Sequence, residues 1–132
     1  MEHKNPLARV LVVEDDPDIQ KVVRMSLKMR GVREIVMVES GPDCIAKLAT
    51  FMPDVILLDV MMPHVDGFET CRQLKENPAT SGIPVVFLTA RAQKADREQG
   101  MLLGAAGYVI KPFDPMTLHD QIVALLAGNR GP

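Results

Sequence analysis

Four apolar runs in this chain each end on a residue able to do chemistry. Leu7 to Val13 runs into Glu14-Asp15-Asp16, and Val55 to Leu58 runs into Asp59. Pro84 to Leu88 runs into Thr89, and Tyr108-Val109-Ile110 runs into Lys111. A carboxylate beside a buried segment is costly unless something nearby neutralises or uses it. If the four ends meet, several carboxylates lie within a few ångströms of one hydroxyl and one ammonium. Like charges that close raise one another's pKa and cost free energy unless compensated. A hard divalent cation is the natural compensation. Mg2+ takes carboxylate and carbonyl oxygens and keeps waters that an incoming phosphate can replace. Lys111 adds a second positive charge, and Thr89 offers a hydroxyl to a phosphoryl oxygen.

The strands and helices around these residues follow from the spacing of apolar positions. The run ending at Val13, interrupted only by Arg9, is short enough for a strand buried on both faces. Asp16-Pro17 then reads as an N-cap with proline at the first helical position. Ile19, Val22, Val23 and Leu27 keep helical spacing up to Gly31, a natural stop. A second strand near Glu34 to Val38 leads through Ser40-Gly41-Pro42 to a helix carrying Ile45, Leu48 and Ala49. After the strand at Val55, a helix over about Gly67 to Glu76 shows Phe68, Cys71 and Leu74. A weaker one near Lys94 to Leu103 is interrupted by Gly100. Asp114-Pro115 repeats the cap-plus-proline start for a last helix with Leu118, Ile122, Leu125 and Leu126.

Five strands alternating with five helices predict a doubly wound α/β domain with a parallel sheet. In such sheets function gathers outside the carboxyl ends of the strands. Strand order 2-1-3-4-5, the flavodoxin-like arrangement, places the four chemistry-bearing ends side by side. The domain is expected over 7–127, with 1–6 an N-terminal tail and 128–132 a flexible C-terminal one.

Composition excludes several classes. A chain of 132 residues fits one domain, and its formal net charge of −2 gives no reason to expect direct nucleic-acid binding. No apolar run approaches a membrane span and the first ten residues lack a signal-peptide core, so a cytoplasmic protein is expected. Cys44 and Cys71 lack CxxC spacing and read as reduced, packed thiols. His3, His64 and His119 form no metal-ligand pattern; His3 is expected in a frayed terminus and His64 and His119 at the surface, while the nine methionines are expected to fill the core. Asp16 reads as a helix cap rather than a ligand, and Asp66-Gly67 as a loop former.

The motifs LVVEDD, LLDVMMPHVDG, VVFLTA and GAAGYVIKPF, in that order, give the chain a resemblance to bacterial response-regulator receiver domains of the single-domain, chemotaxis-regulator type. The resemblance covers nearly the whole chain. It implies that Asp59 accepts a phosphoryl group from a histidine kinase or phosphotransfer protein. It further implies that Glu14, Asp15, Asp59 and the backbone carbonyl of Met61 hold Mg2+, and that Thr89 and Lys111 contact the phosphoryl group. Tyr108 is then the aromatic that changes rotamer with Thr89 on activation, and the Lys111–Pro112 bond is cis. Such a protein is no general enzyme: it catalyses only its own phosphotransfer and autodephosphorylation, as a monomer or a weak phosphorylation-dependent dimer. An unknown downstream protein is expected to dock on the face made by the fourth helix, fifth strand and fifth helix. Met61 and Arg91 flank the path of attacking water in this scheme.

Three other readings compete. A flavin phosphate would need a Ser/Thr/Gly-rich loop of amides after the first strand, where Glu14-Asp15-Asp16 would repel it. A Mg2+-dependent aspartyl phosphatase would place a second Asp two residues after the nucleophile, and Met61 stands there. A pseudo-receiver that only binds partners has no need of the acids, Thr89 and Lys111 together.

Overall fold

The computed structural model describes residues 7–62, 65–90 and 94–128. A five-stranded parallel sheet forms the centre: β1 (Arg9–Val13), β2 (Glu34–Val38), β3 (Val55–Asp59), β4 (Val85–Thr89) and β5 (Gly107–Ile110). The strand order is 2-1-3-4-5. Helices α1 (Pro17–Met29), α2 (Gly41–Lys47), α3 (Gly67–Glu76), α4 (Lys94–Leu102) and α5 (Leu118–Gly128) are distributed over the two faces.

Burial on both faces explains the unbroken apolar runs. Along β3, Val55 and Leu57 point into a core shared with Val23, Leu27, Leu118 and Ile122 of α1 and α5. Ile56 and Leu58 point the other way, toward Cys44, Phe68, Cys71 and Leu74 of α2 and α3. Alternate residues therefore feed two separate cores, and each fully buried aliphatic side chain contributes about 1.5–3 kcal/mol. Both cysteines are buried free thiols, and burial pushes Cys44 up to about 12.

Local signals act where expected at α1. Asp16 caps it by accepting the Asp18 amide, with proline in the first turn. Gly31, at φ 88°, ends it, and its amide bonds the Lys28 carbonyl. The start of α5 is later than the Asp114-Pro115 signal implies. Asp114 accepts the Met116 amide through its side chain and the Thr117 and Leu118 amides through its carbonyl. The cap therefore closes a turn first, and the α-helix begins at Leu118. Strand β4 likewise includes Thr89 rather than stopping before it. In the second helix Cys44 and Leu48 face the core, whereas Ile45 and Ala49 are exposed; Leu48 is its C-cap.

Two expectations about side chains are corrected. Met25, Met29, Met52, Met61, Met101 and Met116 are exposed rather than core filler. On α1 the reason is geometric, because Val23 and Leu27 already occupy the inner stripe and Met25 and Met29 fall outside it. His119 is buried at 7% exposure. It precedes Ile122 by three positions and Leu126 by seven, which is the inward helical spacing, and its Nδ1 lies 3.4 Å from Asp120 Oδ1. His3, His64 and Arg91 lie outside the described residues.

Candidate functional site

Register brings the strand ends together. Val13 pairs with Leu58, Asp59 with Leu88 and Thr89 with Ile110. One step beyond the first pair puts Glu14 level with Asp59, and one step beyond the last puts Lys111 past Thr89. The Lys111 amide bonds the Thr89 carbonyl at 2.8 Å, and the Val60 amide bonds the Leu88 carbonyl at 3.1 Å. Edge strand β2 lies beyond β1 and stays outside the cluster.

Lys111 is the link between the acids. Its Nζ lies 2.7 Å from Glu14 Oε1 and 3.1 Å from Asp59 Oδ2. Asp59 is held from its other oxygen by the Met61 amide, which donates to Oδ1 at 3.0 Å. Glu14 accepts the Asp16 amide at 3.2 Å on Oε2, and Gln20 Nε2 donates to the Glu14 carbonyl at 2.5 Å. Glu14, Asp59 and Thr89 are 1%, 4% and 1% exposed, respectively, so these groups sit where water screens them poorly.

Electrostatics follow from that burial. Desolvation pushes the Glu14 carboxyl from 4.5 up to about 7; Lys111 opposes the shift and Asp59 adds to it. Burial alone would lower Lys111, but Glu14 and Asp59 outweigh it and hold the ammonium above its ordinary value. One cation thus serves two buried acids.

Oxygens of Glu14, Asp15 and Asp59 all come within 4.8 Å of one another. That donor set is hard and purely oxygen, and with one ammonium among three carboxylates it retains negative charge. It fits Mg2+. The side chain of Asp16 turns away to cap α1, so the fourth nearby acid is outside the set.

The spacing did not disclose two supporting residues. Gln20 reaches back to the Glu14 backbone, with no motif to announce it. Gly67 opens α3 against the end of β3 and donates its amide to the Val60 carbonyl at 3.0 Å. A Cβ there would overlap the Asp59 carbonyl oxygen and lie 2.8 Å from Val60 Cα. Asp66-Gly67 therefore does more than shape a loop: an unanticipated two-residue ladder, Met61–Met62 with Val65–Asp66, folds the segment after Asp59 back to that contact. The Met61 side chain is 57% exposed. Tyr108, on β5, packs against Phe87 with ring centroids 5.3 Å apart. The Lys111–Pro112 bond is cis.

Comparisons with known proteins show the family and the fold. Residues 10–123 match the response regulator receiver domain family, and the chain belongs to that family. It is 38% identical over 122 residues to protein PilH of Pseudomonas aeruginosa, covering 92% of this chain and 100% of PilH. It is 41% identical to response regulator PleD of Caulobacter vibrioides, over 89% of this chain but only 26% of PleD. Against the phosphate regulon regulator PhoB of Rhizobium meliloti it spans 52% of that protein. Several curated relatives are thus about twice its length or more. Among solved structures, the chemotaxis response regulator CheY4 of Vibrio cholerae superimposes with a TM-score of 0.83 at 30% identity, covering 90% of this chain and 98% of that one. The class is therefore a receiver domain of two-component signalling, flavodoxin-like in fold. No helix among the described residues is long and apolar enough to cross a membrane.

Proposed function

We propose that the chain is a phosphorylation switch in which Asp59 takes a phosphoryl group from a histidine kinase or phosphotransfer protein. The observation that carries this reading is the Lys111 ammonium shared by Glu14 and Asp59 in a cluster with Asp15 whose carboxylate oxygens all come within 4.8 Å of one another. A purely structural strand end would have no use for such a concentration of like charge.

Asp59 is oriented from both sides, by the Met61 amide and by Lys111. One carboxylate oxygen forms the new P–O bond as the P–N bond of the donor phosphohistidine breaks. The electron pair leaves on the imidazole nitrogen, which regains a proton, and an acyl phosphate remains on Asp59. Glu14, Asp15, Asp59 and the backbone carbonyl of Met61 would hold Mg2+, which would supply neutralisation of the negative charge gathered during phosphoryl transfer. Lys111 offsets the charge that arrives with the phosphoryl group, and the Thr89 hydroxyl at the neighbouring strand end offers it a hydrogen bond. Later hydrolysis of the acyl phosphate resets the switch, so no multiple-turnover activity on a second substrate is needed. The output face is α4, β5 and α5, with Thr89 and Tyr108 coupling it to the site; a downstream protein docks there.

Incubation with acetyl phosphate and Mg2+ should add one phosphoryl group by intact mass, and Asp59→Asn should abolish the addition. Unchanged labelling of Asp59→Asn would overturn the assignment.

A further inference from the structure

Helix α4 has one buried position, and it is Gly100. That is an odd occupant. The inner face of a helix is where a large apolar side chain normally anchors it, and glycine is among the residues least suited to a helix interior. The large apolar residues that follow, Met101 and Leu102, are exposed instead.

The missing anchor is supplied from the sheet. The Tyr108 ring of β5 lies under α4 beside Phe87, the two rings tilted by 32°. A Cβ at Gly100 would overlap the Tyr108 hydroxyl oxygen, and would lie 2.8 Å from its Cζ and 3.1 Å from Phe87 Cε2. The hydroxyl itself donates to the Asp96 carbonyl, one turn earlier in the same helix. Phe87 in turn meets Phe68 edge-on, with centroids 5.1 Å apart. Phe68, Phe87 and Tyr108 therefore form a continuous file from α3 across the sheet to α4.

We propose that Gly100 is a socket for Tyr108: the absent side chain admits the ring beneath α4, and the seated ring holds α4 to β4 and β5. Gly100 is a positioning residue, acting only through Tyr108. The inference deepens the reading above, on which α4 belongs to the output face, because the seat of one ring then sets the placement of the helix that carries Met101 and Leu102. A bulkier residue at 100 would evict the ring and release α4 without touching the acidic cluster.

The chain has one tyrosine and no tryptophan, so phenol signals report position 108 alone. The test uses the unphosphorylated full chain, which separates it from any failure of the Asp59 assignment. In the wild type, burial under α4 holds the phenol above its ordinary pKa, partly offset by a backbone hydrogen bond from Gly100. In Gly100→Ala the phenolate titration should shift down to the ordinary value and acrylamide should quench tyrosine emission more strongly. Amide exchange in α4 should accelerate, by about tenfold or more. Helix propensity alone predicts the opposite, since alanine favours the helix over glycine. In a Tyr108→Ala background the same substitution should slow α4 exchange, because the overlap is gone. Wild-type titration and quenching in Gly100→Ala, or slower α4 exchange with Tyr108 present, would overturn the socket. If Gly100→Ala does not fold, Gly100→Ala/Tyr108→Ala should; failure of both would also overturn it.

Discussion

Glu14 gives the site a pH signature that can be measured without any phosphodonor. Unfolded, its carboxyl releases a proton near 4.5; folded, desolvation and Asp59 hold the proton until about 7, against the pull of Lys111. Between those values the folded state binds more protons than the unfolded one, so stability is fully present below 4.5 and falls as pH rises through 7. Each pKa unit is worth about 1.36 kcal/mol, and the interval amounts to a loss on the order of 3 kcal/mol for the metal-free protein. Glu14→Gln removes the titrating proton and should flatten this part of the profile. Urea unfolding of both proteins in a chelator, from about pH 4.5 to about pH 8, isolates the Glu14 contribution as the difference between the curves. Added Mg2+ should restore wild-type stability at the upper end, because it binds the deprotonated carboxylate of the folded state. Parallel curves for the two proteins in chelator, or no effect of Mg2+ on the wild type, would refute the reasoning.

Three further outcomes are expected. Asp16→Ala should cost about 1 kcal/mol through loss of the α1 cap yet leave Mg2+ affinity by fluorescence or calorimetric titration unchanged, since the side chain faces Asp18. Gly67→Ala should displace the Asp59 backbone, costing about 1–3 kcal/mol of stability in denaturant melts and slowing labelling by acetyl phosphate. Met61 carries an exposed thioether with no strong donor or acceptor, so Met61→Asn, which can orient a water, should speed loss of the phosphoryl group about ten- to thirtyfold, a gain of about 1–2 kcal/mol in the transition state; an unchanged decay rate would show that Met61 does not set the lifetime.

The central sheet was legible because strands buried on both faces leave unbroken apolar runs, and each run ended on the residue that the register brings to the cluster. The α1 cap was legible for a similar reason, since Asp16-Pro17 is a local signal read over a few residues. What escaped the sequence depended on contacts between distant segments. Gly100 looked like an interruption of α4, but its lack of a side chain is explained only by Tyr108 arriving from β5. Gly67 looked like a turn residue until α3 met the Asp59 carbonyl. Residue type points His119 to the surface, but its spacing to Ile122 and Leu126 puts it on the inner face of α5. For the methionines, composition alone does not say which face of a helix they occupy.

The most direct test is to trap the acyl phosphate itself. Protein phosphorylated by acetyl phosphate in Mg2+ is reduced with borohydride, which converts a phosphorylated aspartate to homoserine, and is then mapped by peptide mass spectrometry. Homoserine is expected at position 59 and at no other acid of the cluster. Homoserine at Asp15 or Asp16, or a phosphorylated protein with position 59 intact, would contradict the Asp59 assignment.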